Sequence, residues 1–282
     1  MPGFAEHFAR SSLTRLRGYS TRYVKTSQGR VHVLEARARG PLPPLVLLHG
    51  LSSAGVHFLP MLGLLERAFS RVVLPDLPGH GFSDTPSTLD ATSLREGLFE
   101  ALDDVTRGGP VLLFGNSLGG YAAIRYALER PERVKALLLA SPGGGEMTDD
   151  ELLALRTTFR LESHGDALAF IDRLLASRSR IRHLYAWGLR RQLRRPEVEA
   201  ILAAATREQL LKPEELAALS HPILFVWGKA ERLLPARHLD FFRSHLPPHA
   251  HVVEPTGWGH SPFLDDGAGL ARQLIDFVRR HA

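Results

Sequence analysis

The stretch VLLFGNSLGGYAAIRYA (residues 111–127) runs four apolar residues into the hexapeptide Gly115-Asn116-Ser117-Leu118-Gly119-Gly120 and then directly into helical spacing. A short continuous apolar run that stops at glycine reads as a strand buried on both faces, the mark of a parallel sheet. The stretch is therefore a strand, a sharp turn and a helix. Glycines at 115, 119 and 120 let the two elements pack closely and let Ser117 take a strained backbone conformation. In an open parallel sheet ligands bind beyond the carboxyl ends of the strands, and Ser117 sits at such an end. The helix that follows points its free N–H groups at the serine, which favours negative charge there. This is a G-x-S-x-G pattern in its strand–turn–helix setting.

The same rhythm extends outward in both directions. The segment from Gly18 to Ala38 alternates around a Gln28-Gly29 turn and reads as a hairpin. PLVLLHG (44–50) and RVVLP (71–75) are further buried strands. VKALLLAS, ILFVWG and AHVVEP follow on the far side of the central stretch, with helical spacing between most of them. Strands alternating with helices imply βαβ units, hence an α/β fold: a mostly parallel twisted sheet of about eight strands with helices on both faces. Residues 143–220 interrupt that rhythm with helical spacing and no strand. The expected organisation is a core of residues 1–142 and 221–282 with a helical cap inserted at 143–220. Residues 4–16 (FAEHFARSSLTRL) read as a short amphipathic helix packed on the body.

A serine hydroxyl needs a base to act as a nucleophile, and the base needs an acid to orient it. Fourteen histidines compete for the role. His260, in the glycine-flanked loop GWGHSPF just past the last strand, is the best placed. The acid belongs after the strand ILFVWG, where Glu231 is the carboxylate; Glu146, after the preceding strand, is the alternative. The order Ser117, Glu231, His260 is the one that α/β-hydrolases use. Taken together, His49-Gly50, DLPGHGFSD (76–84), GNSLGG (115–120), WGKAERLLP (227–235) and GWGHSPF (257–263) resemble a capped α/β-hydrolase of the serine esterase or lipase type over nearly the whole chain. The resemblance departs at Glu231, where aspartate is usual. It implies an oxyanion hole built from the backbone N–H groups of Leu51 and Leu118. It also implies that His49, Asp76, Gly79, His80 and Gly81 shape the loops and that Asn116 braces the turn.

Serine with a histidine–acid pair suits acyl transfer to water through an acyl-enzyme, with carboxylic esters of small to medium acyl chain as the first expectation. GNSLGG also resembles hydrolases that cleave carbon–carbon bonds in ring-cleavage products. Those tend to carry tryptophan after the histidine, where this chain has Ser261-Pro262. A ligand-binding, receptor-like member of the fold is the remaining alternative. Within the insert, Phe159, Tyr185 and Trp187 are the candidates for a substrate pocket. Eight arginines between Arg173 and Arg195, with no acidic residue among them, form a local basic patch. That patch or the N-terminal helix would carry any membrane contact.

Composition excludes much else. The chain has no cysteine, so disulfides and thiolate chemistry are out, and a reducing, cytoplasmic setting fits. The formal charge of +5 comes with no lysine-rich tract or nucleic-acid motif, so no nucleic-acid partner is expected. The histidines lack metal-ligand spacing, and neither metal nor cofactor is implied. The oligomeric state is not readable from the sequence.

Overall fold

A computed structural model describes residues 3–177 and 182–281, with the side chains of Arg182, Leu184 and Tyr185 outside the description. In chain order the first elements are α1 (Phe4–Leu16), β1 (Ser20–Thr26), β2 (Gly29–Arg37), β3 (Leu45–Leu48), α2 (Leu59–Ala68) and β4 (Arg71–Pro75). The central ones are α3 (Ala91–Val105), β5 (Val111–Ser117), α4 (Leu118–Glu129) and β6 (Val134–Pro142). Five helices follow: α5 (Asp149–Thr158), α6 (His164–Leu174), α7 (Arg182–Leu193), α8 (Pro196–Ala204) and α9 (Pro213–Ala217). The chain closes with β7 (Ile223–Val226), α10 (Ala236–His245), β8 (His251–Val253) and α11 (Pro262–His281).

Among the described residues eight strands form one sheet in the order β1-β2-β4-β3-β5-β6-β7-β8. β2 pairs antiparallel with both β1 and β4, and the remaining pairs are parallel. The hairpin turn falls at Ser27-Gln28, because Thr26 pairs with Gly29. Side-chain alternation divides the core. Leu45, Leu47, Leu112 and Phe114 pack with Met61 and Leu65 of α2 and Leu270 and Leu274 of α11. Val46, Leu48 and Leu113 pack on the opposite face with Leu102 of α3, Ile124 of α4 and Phe242 of α10. Because both faces are covered, strand β3 has no residue with polar side chain and every member is buried.

Local signals set the helix ends. Asp90 caps α3 by accepting from Ser93 N at 2.7 Å. Thr148 and Ser163 open α5 and α6 with reciprocal capping boxes. A separate apolar cluster (Phe159, Leu161, Phe170, Ile171, Leu193 and Val198) joins the helices between β6 and β7, and Leu233 reaches it from the loop after β7. Helix α1 buries Leu13 and Glu6 but leaves Phe4, Phe8 and Leu16 exposed. No described helix is long and apolar enough to cross a membrane.

Candidate active site

Close backbone packing creates the turn between β5 and α4. A Cβ on Gly119 would lie 2.3 Å from the carbonyl oxygen of Leu48, and one on Gly120 would lie 2.7 Å from Cβ of Pro142. Only glycine permits these approaches to β3 and β6. The chain then bends at Ser117, which adopts φ 53° and ψ −120°, a left-handed φ that costs a non-glycine residue roughly 1–3 kcal/mol. Ser117 precedes the first turn of α4, but its side chain makes no capping bond. Its hydroxyl is thus left to line a cavity of about 480 Å³.

The carboxylate that faces His260 is Glu231. His260 Nδ1 lies 2.8 Å from Glu231 Oε2, and both side chains are 3% exposed. A carboxylate accepts, so Nδ1 carries the proton and Nε2 keeps its lone pair. The other oxygen, Oε1, accepts from Leu233 N at 2.8 Å and Leu234 N at 3.1 Å. Burial would raise the Glu231 pKa, but the charge and hydrogen bond of His260 and the Leu233 N–H outweigh it. The carboxyl is held below its ordinary range. Glu146 is exposed. Asn116, buried beside Ser117, donates through Nδ2 to Ala140 O and His260 O, each at 2.9 Å. One side chain therefore ties the histidine loop to the end of β5 and to β6.

The histidine loop is also strapped from above. Asp265 accepts from Gly259 N at 2.7 Å and from Ala176 N at 2.9 Å, while Ser261 N donates to Leu174 O at 3.1 Å. Arg232, next to Glu231, donates to Leu175 O. The segment after α6 thus holds the loops of both Glu231 and His260. Nothing in the sequence pattern signals this strap, because it depends on backbone atoms of distant segments.

Leu51 follows His49-Gly50 after β3, and Leu118 is the first residue of α4; both line the cavity with Ser117. A Cβ on Gly50 would lie 3.2 Å from Ser117 Cβ, which measures how closely this loop passes the serine. The loop is braced from beneath. His49 Nδ1 donates to Gly50 O at 2.8 Å, and His49 Nε2 accepts from Leu77 N at 3.0 Å. Asp76 accepts from Gly55 N, Phe82 N and His32 Nδ1. Burial, then the neighbouring His80, pushes His49 down to about 3, so it is a neutral brace.

Of the pocket candidates, Phe159 lines the cavity, with Leu77, Met147, Leu152 and Leu155 among its apolar neighbours. Trp187 does not: it is 69% exposed on α7 and absent from the lining, because the buried side of that helix is carried by Ala186 and Leu193. The side chain of Tyr185 lies outside the described residues, as do Arg178, Arg180 and the side chain of Arg182. In the rest of the arginine patch, Arg190 donates to Glu162 O and Arg195 pairs with Glu197 at 3.3 Å. The sequence reading did not single out His238, which is fully buried and lines the cavity. Among the described residues no group of three or more His, Asp or Glu side chains is placed to hold a metal ion.

A fold of this topology with a strained serine at its central turn defines a class, and comparison with known proteins gives the same class. The profile of the Alpha/beta hydrolase family matches residues 45–273, most of the chain. The chain belongs to that family. It is 31% identical over 249 residues to the pimeloyl-[acyl-carrier protein] methyl ester esterase of Xanthomonas oryzae pv. oryzae, covering 84% of this chain and 95% of the relative. Two solved structures share the fold. One is the 2-hydroxy-6-oxo-6-phenylhexa-2,4-dienoate hydrolase of Rhodococcus sp. strain RHA1, at TM-score 0.80, 22% identity and coverage of 93% and 99%. The other is a thermophilic esterase from Thermogutta terrifontis, at TM-score 0.74, 22% identity and coverage of 93% and 100%.

Proposed function

We propose that this chain hydrolyses carboxylic esters through an acyl-enzyme on Ser117, with His260 as general base and acid and Glu231 as its orienting acid. The observation that carries the reading is the buried 2.8 Å bond between His260 and Glu231, with the His260 loop tied to Asn116, the residue beside the serine. Similarity to a methyl ester esterase at 31% identity supports esters as the substrate class.

The steps follow from the groups present. Ser117 Oγ attacks the ester carbonyl and passes its proton to His260 Nε2. Negative charge moves to the carbonyl oxygen, where the N–H groups of Leu51 and Leu118 would receive it. The tetrahedral species collapses, the C–O bond breaks, and His260 gives its proton to the departing alkoxide. Water then attacks the acyl-enzyme, losing a proton to His260, and collapse returns that proton to Ser117 as the acid leaves. Glu231 stays ionised and stabilises the imidazolium in both halves.

In this reading residues 143–220 act as a cap over the core, shaping an apolar acyl site around Phe159, Met147 and Leu155. A panel of p-nitrophenyl esters from acetate to palmitate tests the proposal, with Ser117→Ala as control. Turnover of short to medium chains, lost in Ser117→Ala, is the expected result. Absence of turnover on every chain length, or turnover that persists in Ser117→Ala, would overturn it.

A further inference from the structure

The cavity that Ser117 lines also contains a buried side chain with no role in the chemistry above. His238, near the start of α10, is 0% exposed, and neither ring nitrogen has a hydrogen-bond partner among the described residues. A buried polar group left unpaired costs roughly 1–3 kcal/mol, so a partner brought to it from outside the described residues would recover that cost. The ring is closely packed. A Cβ on Gly145 would lie 2.9 Å from both Cγ and Cδ2 of His238, so the backbone after β6 presses on its face, and His238 N is bonded to Pro235 O at 3.0 Å.

The charges around the ring select the kind of partner. Burial pushes His238 down to about 4, so the imidazole is neutral and offers one donor and one acceptor. Glu231 and Glu151 are its acidic neighbours, with Arg237 and His260 as the basic ones. A carboxylate or phosphate placed here would face an uncharged ring, the Glu231 carboxylate and the Glu151–Arg237 pair. The cationic groups that line the cavity are already engaged. Arg125 pairs with Glu215, Arg95 pairs with Glu129, and Arg156 is bonded to carbonyls at the end of α8. A second buried imidazole in the lining, His80, donates through Nδ1 to Pro78 O and keeps Nε2 without a partner. His238 and His80 are thus two lining side chains with an unpaired nitrogen and no charge, while the lining arginines already have partners.

We propose that His238 is a specificity-determining residue that hydrogen-bonds an uncharged polar group on the substrate, so that the preferred esters carry an ether, hydroxyl, carbonyl or amide oxygen rather than a plain alkyl chain or an anion. The inference rests on the ester-hydrolase reading and deepens it. It is tested with p-nitrophenyl hexanoate and a series of analogues in which an ether oxygen replaces one methylene at successive positions. The wild-type enzyme is expected to favour at least one analogue by about tenfold in kcat/KM, the value of one neutral hydrogen bond. His238→Phe, which keeps the ring volume without the nitrogens, should abolish that preference, and His238→Gln, which restores a donor and an acceptor, should recover part of it. A wild-type enzyme indifferent to oxygen at every position overturns the proposal, and that result needs no variant to fold. A preference that survives His238→Phe overturns it as well. If no ester turns over at all, the hydrolase reading fails. The cavity's preference is then read by calorimetry from the matching methyl ketones, with and without the ether oxygen, and equal affinity overturns the inference.

Discussion

Glu231→Gln is the substitution that bears hardest on the account, because it changes charge and almost nothing else. Glutamine has the same length, and its carbonyl oxygen can still accept from Leu233 N and Leu234 N, which hold the loop at 2.8 and 3.1 Å. What is lost is the negative charge 2.8 Å from His260 Nδ1. At an effective dielectric of ~20, two unit charges at that distance interact by about 6 kcal/mol, a ceiling on what Glu231 contributes to an imidazolium formed during reaction. With that oxygen on the two N–H groups, the NH₂ faces Nδ1, which would move the ring proton to Nε2 and disable the base. Together these predict a loss of about 10³–10⁴ in kcat/KM, the scale of the charge-removing substitution in other serine triads. Initial rates on a p-nitrophenyl ester measure it, with a fluorophosphonate probe reporting on Ser117 reactivity in the same samples. Retention of activity within tenfold of wild type would refute the role assigned to Glu231. Glu231→Asp should fall between the two, since the carboxylate is one methylene too short to keep both Oε1 and Oε2 contacts.

Three further outcomes are expected. Gly50→Ala places a Cβ 3.2 Å from that of Ser117 and must shift the loop that carries Leu51; kcat should fall at least tenfold while the melting temperature changes little, and unchanged kcat would exclude the loop from the oxyanion hole. Asn116→Ala leaves Ala140 O and His260 O without their donor, costing roughly 1–3 kcal/mol by urea unfolding and lowering kcat through the displaced histidine loop; loss of stability at full activity would contradict the tie. Acid should destabilise the fold through His49. The unfolded chain binds a proton with the ordinary affinity near 6.5, while the folded chain does so only near 3, so the stability is full above pH 6.5 and lost as pH falls toward 3. At pH 5 the loss is about 2 kcal/mol from this residue, read as a shift in the urea midpoint; His49→Asn should flatten that dependence, and an unchanged slope would refute it.

How much of this was legible in the sequence depends on whether a feature is local. The turn at Ser117 was, because glycines at 115, 119 and 120 and the apolar run before them are adjacent in the chain. The sheet was, because continuous apolar runs such as LVLL and VLLFG have no solvent face to pattern. The pocket walls were less so. Phe159 and Trp187 look alike as aromatic residues at helical spacing, yet one lines the cavity and the other is 69% exposed, a difference set by how α7 lies on its neighbours. His238 carries no motif at all. Its position shows only when the loop after β6, the loop after β7 and the start of α10 meet around one cavity. The same holds for Asp265, whose two backbone partners are Gly259, six residues before it, and Ala176, 89 residues away.

The central claim is that Ser117 carries the acyl group, and trapping that intermediate tests it most directly. Trypsin would release residues 108–125 as one peptide, in which Ser117 is the single serine. Acid quenching during turnover of a p-nitrophenyl ester, followed by mass spectrometry, should show that peptide heavier by one acyl group, with no such species in Ser117→Ala. An enzyme that turns over the ester while this peptide stays unmodified, or that carries the acyl group on another residue, would contradict the account.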